Sequence, residues 1–488
     1  MAVELTSTGA AAVAKTTDEL CRKSIAEVSR LLRERQISSE ELTSAVLGRI
    51  AAFDGTLRSY ITVCGETAMQ QARAADREIA AGRYRGPLHG VPVGVKDIIF
   101  TKGTRTTCGS KIFANFVPDH DATVVTRLYN AGAVLVGKQS MTEFAGIAYS
   151  PSFRAPANPW NLDRWPGASS SGSAVAVAAG LCFAALGTDT GGSLRFPSAA
   201  CGVVGLKPTY GTLSRHGVFP LAESLDCVGP ITRTVEDSCI LLCAIGGFDP
   251  QDPTTRSGDS PECAFGSDNL RSLRIGIDQG FCRDGINEEV SAALAQAAAQ
   301  LQELGATMIV GPLRGLEEAT AVWGTIYLGD SAAAHEGTFA EHAADYNPIF
   351  RAGLEAAFKL SAAAYARAQV RRAAITRAIN DLLQDADVLL LPAMGQTARV
   401  FKELAPGGVI APETADYLLR YTAPMSLTGH PALVLCCGFD SDGLPIAMQL
   451  IARHGREDLL FRIGWAYQQA TDWHTRFPAL QDKDGKSR

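Results

Sequence analysis

Two short loops rich in glycine and serine, each flanked by apolar sequence, constrain this chain more than any other feature. The first reads PGASSSGS over residues 166–173, and the second reads GTDTGGSLRFP over residues 187–197. The apolar flanks predict that the loop hydroxyls and backbone amides lie at the ends of buried elements, where unpaired polar groups are costly. We therefore expect the two loops to form one shared site, whereas a pair of flexible surface loops is the alternative interpretation.

The second loop has the composition of an anion-binding turn. Gly191 and Gly192 precede Ser193 and allow backbone conformations that are closed to other residues. Successive N–H groups in such a turn can converge on one point, which is how an oxyanion hole is built.

Around these loops the sequence alternates between helical and strand patterns. Ser38 and Glu41 have the spacing of a helix capping box, and apolar residues then recur at four-residue steps. Further helices are expected near residues 66–81, 122–130, 286–304 and 314–385, and strands near residues 91–95, 133–136, 273–277 and 388–391. This alternation favours an α/β fold with a central mixed β-sheet covered by helices on both faces.

The chain divides into three sections on the same grounds. We expect an N-terminal helical segment at residues 1–84, a central section at residues 85–250 that holds both loops, and a C-terminal section at residues 251–488 that completes the sheet. Residues 249–268 are rich in Pro, Ser, Asp and Thr and indicate a surface connection.

Composition excludes several classes of protein. The formal charge is −6, from 45 Lys and Arg against 51 Asp and Glu, and no basic block attracts nucleic acid or a membrane surface. The longest apolar run, residues 174–186, is too short to span a bilayer, and the N-terminus lacks the pattern of a secretory signal. A cytoplasmic location is therefore expected.

Most of the 12 cysteines lie in apolar stretches, which predicts reduced thiols and no metal site.

Two motif matches fail on inspection. Residues 132–138 begin like a phosphate loop, but Gln139 stands where a Ser or Thr must bind magnesium, and the interior is typical of a strand. His335 and His342 lack the spacing of a zinc-binding helix. The sequence does not exclude a Ser-His-Asp triad at this point, because its members converge only in the folded chain.

The two loops, together with GVKD at residues 94–97, resemble the amidase signature family of serine hydrolases. The resemblance is dense over about residues 85–245 and sparse over about residues 250–385. It extends through PLHGVP at residues 87–92, residues 138–144, GLKPT at residues 205–209, residues 229–237 and GLPI at residues 443–446. It implies hydrolysis of a carboxylic amide through a covalent acyl-enzyme, without metal or organic cofactor, and allows esters or carbamates as further substrates.

The resemblance also implies roles for individual residues. Ser193 is the expected nucleophile, Ser169 the bridging hydroxyl after a cis peptide bond, and Lys96 the base. The backbone N–H groups of Thr190, Gly191, Gly192 and Ser193 form the expected oxyanion hole. A lysine accepts a proton only when it is neutral, which burial away from carboxylates achieves. Strand geometry predicts that neighbouring Asp97 leaves on the opposite face.

This sequence departs from the family pattern at two positions of the first loop. Ala168 and Ser171 stand where glycines are common. Neither change removes a catalytic group. Ala168 weakens the expectation of the cis bond, and Ser171 adds a hydroxyl to the loop.

The substrate is the feature that the sequence constrains least. The resemblance implies a pocket walled by the segment from Met141 to Ile147 and by a variable helical region at about residues 314–385. The expected wall residues are Met141, Phe144, Gly146, Ile147, Trp323 and Tyr327, with Ile326 as a further apolar candidate. Each apolar one is also compatible with simple core packing.

The expected partner is a small amide, ester or carbamate. The sequence does not decide whether the chain forms a homodimer. The alternative function is the glutaminase (A-type) component of a tRNA-dependent amidotransferase. The segment LTGHPA at residues 427–432 looks more like that of free-standing amidases. A nucleotide enzyme or a non-catalytic binding protein is disfavoured, because the phosphate-loop match fails and Lys96, Ser169 and Ser193 are all present.

Overall fold

The computed structural model describes residues 18–256, 269–404 and 417–480. Eleven strands of the described residues form a mixed sheet. In chain order they are β1 Tyr60–Val63, β2 Pro92–Lys96, β3 Val134–Gln139, β4 Ala184–Asp189, β5 Val204–Lys207, β6 Cys227–Thr232, β7 Arg274–Ile277, β8 Thr307–Val310, β9 Val388–Pro392, β10 Ala432–Phe439 and β11 Pro445–Ala452.

Helices occupy much of the remaining described chain. They are α1 Ile25–Arg33, α2 Ser39–Leu57, α3 Gly65–Ala80, α4 Thr123–Asn130, α5 Ser171–Ala178, α6 Arg195–Cys201, α7 Val235–Ile245, α8 Glu288–Glu303, α9 Ala319–His342, α10 Pro348–Ala357, α11 Ala362–Asp385, α12 Phe401–Leu404, α13 Ala423–Thr428 and α14 Glu457–Ala470. Short 3₁₀ turns lie at Glu143–Ala145, Ala343–Asp345 and Trp473–Thr475.

The strands are ordered β1-β3-β2-β4-β6-β5-β10-β11-β9-β7-β8 across the sheet. Strand β2 pairs in parallel with β3 and β4, and β7 pairs in parallel with β8 and β9. The strands between these two parallel groups run antiparallel, including the pair that joins β5 to β10. The predicted mixed sheet is therefore confirmed.

Both faces of the central sheet are covered. Every residue of β2, β3, β4, β5 and β6 is buried, although successive side chains leave opposite faces. Helix α5 is itself buried along its whole length and packs against β4. This arrangement confirms the α/β fold and explains why these strands are mostly apolar, with their polar residues near the C-terminal ends.

The predicted elements agree well with those observed. The capping box is confirmed: the Ser38 hydroxyl accepts from the Glu41 N–H at 3.0 Å, and the Glu41 carboxylate accepts from the Ser38 N–H at 2.8 Å. Strands β2, β3, β7 and β9 lie where the apolar patterns placed them, and the long helical region near residues 314–385 consists of α9, α10 and α11. The three-section division stays a prediction, and the surface connection is described only to residue 256.

The cysteine expectation needs one correction. Cys239 is disulfide-bonded, whereas nine other described cysteines, Cys243 not counted among them, have free thiols. An apolar sequence context indicates burial and does not by itself decide whether a neighbouring sulfur lies within bonding reach. None of the helices within the described ranges is long and apolar enough to cross a membrane.

We predict that Ser38→Ala lowers the free energy of unfolding by about 1 kcal/mol, because the first turn of α2 loses a side-chain acceptor. Urea denaturation followed by circular dichroism measures the change. Ser38→Asp keeps an acceptor and serves as the control. Equal midpoints for the wild type and Ser38→Ala would contradict the assignment of this cap.

Candidate active site

The sheet brings Lys96 and the second loop to one edge. Strands β2 and β4 are parallel neighbours, with Val95 opposite Leu186. Lys96 is the last residue of β2, and Asp189 is the last residue of β4. Because both strands end on the same side of the sheet, the lysine and the glycine-serine turn after Asp189 lie close together.

Lys96 contacts the first loop directly. Its Nζ lies 2.7 Å from Ser169 Oγ and 2.7 Å from Thr188 Oγ1, and its side chain is completely buried. The peptide bond between Ala168 and Ser169 is cis, as the resemblance implied, although Ala168 departs from the family pattern.

The surroundings of Lys96 favour its neutral form. Burial lowers the pKa of Lys96 to about 7, and the carboxylates of Asp226 and Asp189 oppose this shift only in part. The adjacent carboxylate of Asp97 points elsewhere: it accepts from the Thr107 N–H at 2.8 Å and lies 3.8 Å from Lys138 Nζ. An amine held in this way can accept a proton near neutral pH.

The two loops meet at a single cavity. Ser169 from the first loop and Ser193 from the second both line it, as do Thr190 and Gly191. The Ser170 N–H donates to the Ser193 carbonyl at 3.2 Å, which links the loops directly. Ser169 is buried whereas Ser193 is partly exposed, so the second hydroxyl is the more accessible of the two.

The second loop turns its carbonyls away from its free N–H groups. Trp323 Nε1 donates to the Thr190 carbonyl at 2.8 Å, and Thr422 Oγ1 donates to the Gly191 carbonyl at 2.5 Å. No acceptor within residues 18–256, 269–404 and 417–480 meets the backbone N–H of Gly191, Gly192 or Ser193. These donors suit an oxygen that becomes negative during a reaction.

Glycine is required at two positions of this turn. Gly192 has a φ of +144°, and a Cβ there would lie 2.4 Å from the Phe196 ring. A Cβ on Gly191 would lie 2.5 Å from Trp323 Cζ2. Side chains at either position would displace the aromatic rings that pack against the loop.

A buried ion pair spans the second loop. Arg195 Nε and Nη2 donate to the two carboxylate oxygens of Asp189 at 2.9 Å each, and the Leu194 N–H also donates to Asp189 at 3.1 Å. Burial raises the pKa of Asp189, but Arg195, the Lys207 ammonium and the Leu194 N–H together outweigh burial, and the net pKa is lowered. The pair therefore holds the two ends of the turn at a fixed separation.

The carboxylate of Asp226 fixes the side chain of Thr190. Its hydroxyl donates to Asp226 at 2.5 Å, and the backbone N–H groups of Leu221 and Ala222 donate to the other oxygen at 2.9 and 3.0 Å. Burial raises the pKa of Asp226, and these hydrogen bonds oppose that change. Asp226 thus connects the second loop to the wall of the cavity at Leu221.

Four of the six expected wall residues line the cavity. Gly146 and Ile147 come from the segment after β3, and Trp323 and Tyr327 come from α9. The two α9 rings stack with centroids 5.1 Å apart and an interplanar angle of 15°.

Met141 and Phe144 lie elsewhere. Both side chains are fully buried in the main core, and neither lines the cavity. The Phe144 ring packs in an aromatic group, with the Phe219 centroid at 5.1 Å. Ile326 is also buried outside the cavity wall, in the core beside α9.

Sequence reasoning missed several contacts of this site. Thr188 and Phe196 belong to the second loop, so their position in the motif was an available signal. Leu221, Leu418 and Leu419 had no local signal, because they reach the cavity only through tertiary packing. The wall residues absent from the sequence expectation are Trp165, Phe196, Leu221, Leu418 and Leu419, whereas Ala145 lies in the expected segment from Met141 to Ile147.

The residue types that bind metals are not clustered near this cavity. Among the residues that the structure describes, no three His, Cys, Asp or Glu side chains are placed to hold a metal ion. The groups that the cavity does offer are two hydroxyls, a buried lysine behind them and unpaired backbone N–H groups.

Comparison with known proteins places this arrangement in a family. The AmiD protein of Mycobacterium tuberculosis is 42% identical over 463 residues, covering 95% of this chain and 97% of AmiD. The A-type component of the glutamyl-tRNA(Gln) amidotransferase of Roseiflexus castenholzii is 41% identical, covering 96% and 99%. The peptide amidase of Stenotrophomonas maltophilia superposes with a TM-score of 0.80 at 30% identity, covering 93% and 98%. A family profile described as Amidase matches residues 41–461, and the chain therefore belongs to the amidase signature family.

Proposed function

We propose that this protein hydrolyses carboxylic amides through a covalent acyl-enzyme on Ser193, with Ser169 and Lys96 as the proton relay. The observation that carries the proposal is the 2.7 Å contact between Lys96 Nζ and Ser169 Oγ beside the cavity that Ser193 also lines. Family membership supports amide hydrolysis in general, and this contact supports the assignment of roles.

The proposed reaction begins with proton transfer. Neutral Lys96 takes the proton of Ser169 as Ser169 takes that of Ser193, and Ser193 Oγ attacks the acyl carbon. The backbone N–H groups of the second loop stabilise the resulting oxyanion. The relay returns the proton to the leaving nitrogen as the C–N bond breaks, and water then attacks the acyl-enzyme by the same route.

Esters and carbamates pass through the same tetrahedral geometry. The proposed machinery acts on the carbonyl and requires only that the leaving group be released. We therefore propose that activated esters are also cleaved, which makes them convenient probes of the acyl-enzyme.

The second candidate is the glutaminase component of a tRNA-dependent amidotransferase. It is favoured by the 41% identity to such a component over nearly the whole of both chains. The 42% identity to AmiD is almost the same, so overall similarity does not separate the two functions. We propose a free-standing amidase on the basis of residues 427–432, and the two candidates differ in whether glutamine is a substrate.

We predict that Ser193→Ala abolishes amide hydrolysis and leaves the fold intact, since one atom is removed from a partly exposed side chain. Intact-mass spectrometry after treatment with a fluorophosphonate should show one adduct on the wild type and none on the variant. Ser171→Ala is the control, because the Ser171 hydroxyl accepts from Tyr149 and makes no bond to Lys96. An adduct that persists in Ser193→Ala would refute the assignment.

We predict that kcat/KM rises with pH through about 7, because the neutral amine of Lys96 is the active form and burial lowers its pKa to that range. Rates measured from about pH 5 to 9 test the profile. Lys96→Ala should lose several orders of magnitude, and Lys96→Arg should not recover activity, since a guanidinium does not release its proton. A fully active arginine variant would exclude the relay.

We predict that α9 sets acyl-group preference while the loops set the rate of chemistry. Tyr327→Ala should reduce kcat/KM for large acyl groups relative to small ones, because apolar contact is lost. The expected change corresponds to about 1–3 kcal/mol in activation free energy. Tyr327 is preferred to Trp323, which also holds the Thr190 carbonyl. An equal loss for every substrate would contradict this separation of roles.

A further inference from the structure

The wall of the cavity is uncharged. It consists of apolar and aromatic side chains, backbone and a few hydroxyl groups, and no charged side chain of the described residues lines it.

Some of the polar side chains in this wall are already engaged elsewhere. The Thr190 hydroxyl donates to Asp226 at 2.5 Å, and Trp323 Nε1 donates to the Thr190 carbonyl at 2.8 Å. Burial raises the pKa of the Tyr327 hydroxyl to about 12, so this group stays protonated and uncharged. The hydroxyls of Ser169 and Ser193, which the proposed reaction uses, and the neutral hydroxyl of Tyr327 are therefore the main polar side-chain groups that a substrate can meet in this wall.

Arg195, the buried arginine that follows the second loop, is not available to a substrate. All five of its N–H donors are occupied: Nε and Nη2 donate to Asp189, Nη2 also donates to Ser426 Oγ at 2.7 Å, and Nη1 donates to the Thr422 carbonyl at 2.8 Å and to Gln449 Oε1 at 2.9 Å. Arg195 does not line the cavity. Arg215 lines an adjoining cavity that shares Thr190 and Leu221, but its Nη groups donate to the Glu223 carbonyl and to Thr254 Oγ1. Within the cavity that Ser193 lines, a substrate carboxylate would therefore have no cation to pair with, and burying an unpaired charge is costly.

The cavity is also small, and its wall includes aromatic and aliphatic side chains. It encloses about 90 Å³. The stacked rings of Trp323 and Tyr327 form part of its wall with Leu418 and Leu419. Apolar surfaces of this kind bind short alkyl chains or aromatic rings.

We infer that the acyl part of the substrate is small, uncharged and apolar, a short alkanoyl or benzoyl group, and that amides carrying a charge on the acyl part are rejected. Glutamine, which carries both an ammonium and a carboxylate, belongs to the rejected class. This inference rests on the proposed function, because it describes the substrate of the same Ser193 site.

Ammonia release from matched amides tests the inference with the full-length enzyme. Hexanamide and benzamide represent the neutral class, glutaramate has nearly the length of hexanamide with a terminal carboxylate, and L-glutamine adds the ammonium. We expect kcat/KM for hexanamide to exceed that for glutaramate by about 100-fold or more, with glutamine lower still.

A charge introduced into the wall should change this order. Leu419→Arg supplies the missing cation and should raise kcat/KM for glutaramate relative to hexanamide by about 10-fold or more. Leu419→Met is the matched variant, with similar volume and no charge, and its ratio should follow the wild type. Labelling of Ser193 by a fluorophosphonate confirms that each variant is folded and reactive.

The outcomes separate the inference from the function on which it rests. Preference for the neutral amides, with a shift toward glutaramate in Leu419→Arg alone, supports the inference. Hydrolysis of glutaramate or glutamine as fast as hexanamide overturns it while amide hydrolysis stands, and favours the glutaminase candidate. Loss of all amide hydrolysis together with an unlabelled Ser193 in the wild type overturns the proposed function itself.

Discussion

The buried ion pair between Arg195 and Asp189 is the interaction on which the candidate site depends. Asp189 ends β4 and Arg195 begins α6, so the pair closes the loop that carries Ser193. Arg195 also joins this loop to the C-terminal part of the chain. Removing one partner of such a pair leaves an uncompensated buried charge, which costs about 3–5 kcal/mol. The C-terminal partners of Arg195 are the Thr422 carbonyl, Ser426 Oγ and Gln449 Oε1.

The bonds around this loop decide which of its polar groups face the cavity. Trp323 and Thr422 take up the carbonyls of Thr190 and Gly191, so the N–H groups on the other side of the same peptides stay free. In the proposed reaction, donors fixed in this way need no rearrangement when the oxyanion forms, and such preorganised electrostatics is usually the largest single term in catalysis. The surroundings of Lys96 complement it, because burial favours the amine that can accept a proton.

Local patterns predicted the sheet, the capping box and the meeting of the two loops, because these follow from periodicity and from polar groups beside apolar runs. They predicted the pocket less well. Phe144 and Ala145 adopt left-handed φ values of +47° and +60°, so the chain turns sharply there. Phe144 therefore enters the core while Gly146 and Ile147 reach the cavity. Leu418 and Leu419 line the cavity through tertiary packing, which no local pattern encodes.

The order of strands has a consequence for synthesis of the chain. Strand β5 pairs with β6 on one side, but its other neighbour is β10, more than 200 residues later, and Arg195 finds acceptors at Thr422 and Gln449, which also lie more than 200 residues later. A nascent chain that has emerged through β6 therefore exposes an unpaired strand edge and a guanidinium without all its partners. Contacts of such long sequence separation form slowly. The cavity is thus assembled only after nearly the whole chain has left the ribosome, and during synthesis the exposed edge of β5 is a natural target for chaperones.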